Sequence, residues 1–437
     1  MLGYNLRMSL KSFRRNPYLF LLMIGAIGLG IGVSTTFITG QYLLSADPIP
    51  HKSGCLYYVM IDNWDPNRPW NDSEPDDPPN QLTYRDMAGL MKSDIPVHQG
   101  GSFRASLFVH PDPKIGRPYK VISRMCFSGF FSLFEVPFQF GNGWDRRADQ
   151  GPEPVAVLSH ETNQKLFGGE NSIGRMVRVE DRDFKVVGVL SPWRPLPKYF
   201  DPHNGPFEET EEIYLPFEFF RAFEIRSAGN TSNWKSFDWD NFQAYLDSEA
   251  IWIQFWVQLD TVAQKEAYLD FLKSYVEGQK KVGRMQRPIN NRLLNVNEWL
   301  DEAEVVPSEA TTLMIIAILF LVVCSLNLIG ILLGKFFSRA SEVSIRRAMG
   351  ASRRQVFMQH VIECEVVGLA GGMLGIPVAK LGLEWINRLF RGAFVFRMDT
   401  NMLAVAILLA LVAGLISGAY PAWRICSIPP AKYLKEQ

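Results

Sequence analysis

Cysteine and histidine are scarce in this chain, five and six in 437 residues. No CxxC pair and no histidine-rich cluster occurs, so a metal centre built on sulfur or imidazole has no support in the sequence. A Gly-x-Ser-x-Gly elbow and an HExxH motif are both missing, which leaves a membrane hydrolase nothing specific in its favour. The run Gly330-Ile331-Leu332-Leu333-Gly334-Lys335 is one residue short of a Walker A loop, lacks the following Ser or Thr and ends a hydrophobic stretch, so the chain is read as hydrolysing no ATP itself. Gly28-Leu29-Gly30-Ile31-Gly32 has no strand before it and lies within an apolar run, which excludes a nucleotide loop there too. Net charge is also absent: 45 basic residues cancel 45 acidic ones.

What the chain has is long apolar runs, placed unevenly. One lies near the N-terminus, uncharged from Asn16 to Ala46, and three fall in the last third, with about 260 polar, aromatic-rich residues between. The first run exceeds the 7 to about 15 residues of a signal-peptide core and the roughly 20 needed to cross a bilayer, so it reads as a retained span. The runs between Glu309 and Lys335 and between Asp399 and Arg424 also span. The remaining one is weaker, because Glu363, Glu365, Lys380 and Glu384 flank the charge-free stretch from Val366 to Ala379. Charges near span ends can snorkel, and that reading is preferred here to a proton or ion path.

Lys and Arg collect before the first span (Arg7, Lys11, Arg14, Arg15), between the second and third (Lys335, Arg339, Arg346, Arg347, Arg353, Arg354) and after the fourth (Arg424, Lys432, Lys435). The positive-inside rule places these three segments and both termini in the cytoplasm, against the mild contrary signal of Arg388, Arg391 and Arg397. The expected layout is a cytoplasmic amphipathic helix at 1–16, spans at 17–46, 310–335, 359–387 and 400–424, and an extracytoplasmic domain at 47–309. A cytoplasmic loop at 336–358, a short outer loop at 388–399 and a cytoplasmic tail at 425–437 complete it. The fold class is thus an α-helical membrane protein with four transmembrane helices and a large, two-lobed α+β domain inserted between the first and second.

Charge divides along the same lines. From Ala46 to Glu309 there are 39 Asp and Glu against 28 Lys and Arg, a net of −11, and the rest of the chain carries +11. An acidic domain between basic membrane flanks argues against nucleic acid as a partner and for contact with lipid. Cys55 and Cys126 fall in that domain and are a candidate disulfide on compartment grounds alone. The acidic tract with Asp62, Asp65, Asp72, Glu74, Asp76 and Asp77 lacks the ligand spacing of an EF-hand and reads as a solvated insertion rather than a calcium loop. Trp234, Trp239, Trp252 and Trp256 read as core or lobe contacts in preference to a ligand surface. Short β runs at Val155–Ser159, Met176–Val179 and Phe184–Leu190, with a helix between, indicate an α+β lobe, and Ile251–Leu259 followed by a helical stretch indicates a second.

Small residues recur at four-residue spacing in the spans: Gly28 and Gly32, Gly368 and Gly372, Gly371 and Gly375, Gly414 and Gly418. Such stripes let helices approach closely, within a bundle or across a dimer seam. Between the second and third spans, Val343, Ala348 and Met349 among basic residues read as a short amphipathic helix, stopped at Gly350 and followed by a new helix from Ser352. It reads either as a basic helix lying on the membrane surface or as a docking element for a cytoplasmic motor.

The string Glu342-Val343-Ser344-Ile345-Arg346-Arg347-Ala348-Met349-Gly350-Ala351-Ser352-Arg353-Arg354-Gln355 resembles the signature of MacB/FtsX-type ABC transporter permeases. Three other segments are similar to parts of that family: Asn5 to Asn16 to its leading amphipathic helix, Val155 to Leu190 to its periplasmic core domain, and Gly418 to Ala431 to its C-terminal end. The resemblance implies a permease dimer, of a second copy or a homologous permease, in the inner membrane. It also implies a separate ABC ATPase dimer that holds the ATP and Mg, with no cofactor on this chain. Carried over, Glu342, Ile345, Arg346, Arg347 and Gly350 would dock the ATPase, with Arg353 and Arg354 in support. The function implied is mechanotransmission: ATP-driven movement of the outer domain that expels a periplasmic drug, peptide or toxin through a membrane-fusion adaptor and an outer-membrane duct. Lipoprotein extraction, as in Lol-type relatives, and activation of a cell-wall hydrolase, as in FtsX-type relatives, are the alternatives.

Overall fold

The computed structural model describes residues 16–111, 116–151, 153–389 and 398–427. The expected helix at 1–16, apart from Asn16, most of the loop at 388–399 and most of the tail lie outside the described residues. The chain forms two compact units, one of residues 46–305 and one of the helices on either side.

The inserted domain is built on one ten-stranded sheet, ordered β10-β1-β9-β2-β3-β8-β5-β7-β4, with β6 paired to β2 and β7. The strands are β1 Leu56–Met60, β2 His98–His110, β3 Tyr119–Cys126, β4 Phe138–Gly141, β5 Val155–Leu158, β6 Met176–Val179, β7 Arg182–Leu190, β8 Ile213–Pro216, β9 Gln254–Gln258 and β10 Arg292–Asn295. The pairings are antiparallel except β3 with β8 and β5 with β7. All five residues of β1 are buried, as a strand covered on both faces requires. Alternation sorts them into two cores: Tyr57 and Val59 join Phe103, Leu215 and Trp252 on one face, while Leu56, Tyr58 and Met60 join Tyr214, Trp256 and Trp299 on the other. The 155–190 and 251–259 segments both contribute strands to this one sheet, which carries a core on each face.

Local capping defines the helices of this domain. Ser159 caps His160–Phe167, whose end is Gly168 in the left-handed region, and Thr261 with Gln264 forms a capping box on Val262–Lys281. A buried ionic network ties the long 191–212 connection to the sheet. Arg124 of β3 donates to Asp201 at 2.5 Å and to Glu211, and Lys198 lies 3.6 Å from Glu211. Burial raises the Glu211 carboxyl, but Arg124 and Lys198 outweigh it and hold its pKa at about 2.

One expectation for this domain changes and two are refined. Cys55 and Cys126 are free thiols rather than a disulfide. Cys55 precedes β1 and Cys126 ends β3, three strand spacings or at least about 14 Å apart across the sheet, twice the reach of a disulfide. The acidic tract is solvated through its middle, where Asp72, Glu74 and Asp76 are exposed, and pinned at its edges: Arg287 bonds Asp62 at 2.7 Å and the Arg68 carbonyl at 3.3 Å, and Arg292 bonds Asp77 at 3.1 Å. Trp252 and Trp256 are core, whereas Trp239, 45% exposed, packs on Phe237 and Tyr245, and Trp234 is half-buried, its indole N–H donating to the Asn63 carbonyl.

Among the described residues of the other unit, four helices are long and apolar enough to cross a membrane: Pro17–Leu44, Ser308–Phe337, Arg353–Leu389 and Thr400–Cys426. The first packs against the second and third, and the fourth does the same, so the second and third stand diagonally. The glycine stripes make the close seams within this chain. A Cβ on Gly28 would lie 2.9 Å from the Gly371 carbonyl, and one on Gly32 would lie 2.9 Å from that of Gly375. On the other side of the third helix, Gly368 and Gly372 meet Ala410, and Gly418 of the fourth meets Cys364. Lipid supplies no hydrophobic drive between helices, so backbone approach and dispersion hold them together. Buried hydroxyls add bonds, such as Ser34 to the Ala317 carbonyl at 2.7 Å and Ser417 to that of Ser325 at 3.2 Å.

Candidate functional site

The segment joining the second and third membrane helices is short. After Phe337 the chain turns through Ser338 and Arg339 into a nine-residue helix, Ala340–Ala348. Its end is a Schellman motif: the Gly350 N–H donates to the Arg347 carbonyl and the Ala351 N–H to that of Arg346, both at 3.1 Å. Gly350 has φ of +102°, a value that a residue with a Cβ rarely adopts. Two residues on, Ser352 and Gln355 cap each other, the Gln355 N–H donating to Ser352 Oγ at 3.2 Å and the Ser352 N–H to Gln355 Oε1 at 3.0 Å. The third helix therefore starts at Arg353 and runs unbroken into its span.

The short helix has an inner and an outer side. Ala340, Val343 and Ser344 are buried, while Glu342, Ile345, Ala348 and Met349 are exposed, Ile345 by 43% and Met349 by 75%. Val343, Ala348 and Met349, read from the sequence as the apolar residues of a short amphipathic helix, do not share one side. At 3.6 residues per turn, Val343 and Ala348 point about 140° apart. The outer side is apolar residues beside an acidic one.

The basic residues divide by role. Arg346 closes an ion pair with Glu342 at 2.7 Å, one turn earlier, and donates to Gln359 of the third helix at 3.3 Å. Arg347 donates to the Cys426 carbonyl at the end of the fourth helix at 3.1 Å. Both are half-buried and tether the helix to the bundle; Arg353, Arg354 and Gly350 are exposed beside it. Beneath the segment, Lys335 and Glu363 form a buried ion pair at 2.6 Å. Sequence reasoning assigned these two separately, one to the positive-inside count and one to a snorkelling end. Opposite charges at the facing ends of two spans were the available signal.

A carboxylate cluster lies apart from this segment, in the inserted domain. Oxygens of Glu74, Asp77 and Glu302 come within 4.8 Å of one another. Arg292 pairs with Asp77 and Glu302 at 3.1 Å each, so an internal cation already occupies that cluster.

Four apolar helices, a large domain between the first two and a capped, basic-flanked helix between the second and third define a permease-type membrane subunit. The MacB-like periplasmic core domain model matches residues 20–274 and the FtsX-like permease C-terminal model matches residues 314–430; the chain belongs to this MacB/FtsX-like permease family. The macrolide export ATP-binding/permease protein MacB of Bdellovibrio bacteriovorus is 24% identical over 68% of this chain and 41% of its own length. The pyoverdine export ATP-binding/permease protein PvdT of Pseudomonas aeruginosa is 26% identical over 70% of this chain and 41% of its own. The chain thus spans about two fifths of the length of these curated relatives. The periplasmic region of MacB from Actinobacillus actinomycetemcomitans aligns with 60% of this chain and 97% of that one, at 14% identity and a TM-score of 0.37.

Proposed function

We propose that this chain is the membrane subunit of an ABC transporter, in which an ABC ATPase carrying ATP and Mg docks on the 340–350 helix and its cycle moves the inserted domain. The outer side of that helix, with Glu342, Ile345, Ala348 and Met349 exposed on a segment held at its C-terminal end by the Schellman turn and the Arg346 and Arg347 bonds, carries the reading. An exposed apolar patch on a soluble face calls for a protein partner, and a capped helix tethered by Arg346 and Arg347 passes on a push instead of absorbing it. In this reading both termini and the short helix are cytoplasmic, the inserted domain is periplasmic, and the membrane is the inner one. The exposed apolar sides of the second and fourth helices face lipid and a second permease copy. Export of a periplasmic substrate, with an adaptor and an outer-membrane duct, is the function most in keeping with relatives named for macrolide and pyoverdine export.

The test is affinity purification of the detergent-solubilised protein with mass spectrometry, comparing wild type with Glu342→Ala and with Ile345→Asp/Met349→Asp. An ABC ATPase recovered with wild type and reduced at least tenfold with the double variant is the expected result, and an adaptor in the same eluate would support export. Well-folded wild type that recovers no ATPase overturns the proposal.

A further inference from the structure

The bond at the base of the short helix joins two membrane helices that are not close neighbours. Lys335 sits in the last turn of the second membrane helix and Glu363 lies 28 positions on, in the third. Their main packing partners are the first and fourth helices, so this side-chain contact bridges the diagonal of the bundle. Nζ donates to Oε1 at 2.6 Å, with Lys335 only 6% and Glu363 only 5% exposed. The same ammonium lies 3.6 Å from the centre of the Phe20 ring on the first helix. Arg339, immediately before the short helix, brings its guanidinium to 4.0 Å from the same Glu363 oxygen.

Adhesion does not require such a pair. Apolar residues of similar volume hold a buried contact as well or better, and elsewhere in this bundle glycine seams do that work. A short charge-assisted hydrogen bond adds register, because any slide of one helix past the other strands two charges in a medium that solvates neither. Position gives that register a use. The bond closes the loop that carries the short helix, whose own tethers run to the third helix through Arg346 and to the fourth through Arg347. Closing it adds the second helix, the one that continues in the chain from the inserted domain.

We infer that Lys335 and Glu363 are positioning residues for energy coupling: a clasp that makes the short helix and the adjoining ends of the second and third helices move as one body, so that ATPase displacement of the short helix reaches the second. The inference rests on the proposed ATPase docking. It is tested on the full chain with its co-purified ATPase in lipid nanodiscs, by hydrogen–deuterium exchange compared between nucleotide-free and ATP–vanadate-trapped complexes. In wild type, exchange changes with nucleotide both in peptides from 340–350 and in peptides from 296–312. Lys335→Met, Glu363→Gln and the apolar double Lys335→Met/Glu363→Leu are expected to keep the ATPase and the change at 340–350 while losing the change at 296–312. The reversed pair Lys335→Glu/Glu363→Lys is expected to regain it. If a single variant does not fold, the two double variants decide the matter. An apolar double that transmits like wild type overturns the clasp, as does a folded, ATPase-bound reversed pair that does not regain transmission. Wild type that recovers no ATPase overturns instead the docking on which it rests.

Discussion

The two units of this chain are held together by opposite means. In the inserted domain, large side chains do the packing: Tyr58 stacks on Trp299 with ring centres 3.6 Å apart, and Trp252 and Trp256 fill the two faces of the sheet. In the membrane bundle the closest seams are made where side chains are missing, at Gly28, Gly32, Gly371 and Gly375. The difference follows from the solvent. Water expels apolar surface, so a bulky aromatic contributes more the more it buries. Lipid is as apolar as leucine, so only closer contact favours helix against helix over helix against lipid. Buried charge is a device that both units use, as Arg124 with Asp201 and Glu211 in one and Lys335 with Glu363 in the other.

Each unit can be weakened separately. The largest effect is expected from Arg124→Met, which removes the cation between two fully buried carboxylates and leaves Lys198 alone to compensate them. Uncompensated buried charge costs about 3–5 kcal/mol. Nine of the eleven tryptophans lie in the inserted domain, so its unfolding midpoint is read by intrinsic fluorescence. A bundle that keeps its far-UV helical signal under the same conditions would show that the two units fail separately.

Gly32→Leu strikes the other unit. A Cβ there would meet Val378 at 2.5 Å and the Gly375 carbonyl at 2.9 Å, and the carbonyl cannot rotate away. Overpacking of this kind costs about 1–3 kcal/mol, and it is expected to lower the SDS concentration at which helical signal is lost while leaving the fluorescence transition of the inserted domain unchanged.

Acid sharpens the contrast with a smaller effect. The Glu211 carboxyl has a folded pKa of about 2 against an ordinary 4.5, so its stabilisation is complete above 4.5 and fades as pH falls toward 2. His203 adds to this in the same direction: burial keeps its imidazole below the ordinary 6.5, so charging it on acidification also works against the fold. Taking the protein from pH 7 to pH 4 should cost the inserted domain about 1 kcal/mol through Glu211, measured as a lower urea midpoint by fluorescence. An equal loss in Arg124→Met would assign the acid sensitivity to other groups.

Much of the site is legible in the residues alone. Gly350 as a stop and Ser352 as a start are local chemistry, and both act as read: the Schellman motif and the capping box use only neighbours within a few residues. Which side of the short helix faces out is less legible, because nine residues make only two and a half turns and the burial of Val343 depends on the bundle beneath it. The roles of Arg346 and Arg347 are hidden for the same reason, since Gln359 and the Cys426 carbonyl become neighbours only when three helices meet.

The sequence by itself determined what its solvents demand. Runs of some twenty apolar residues can satisfy their backbone in lipid only as helices, and capped, alternating segments between them must fold in water, so four spans and an inserted α+β domain followed from composition along the chain. Tertiary structure alone decided which distant residues meet. It kept Cys55 and Cys126 apart, placed the glycine stripes against one another inside one chain, bound the acidic tract with Arg287 and Arg292, and brought Lys335 to Glu363 across the bundle. Periodicity and capping reach only a turn or two along the chain, whereas these contacts are set by how whole helices and strands pack.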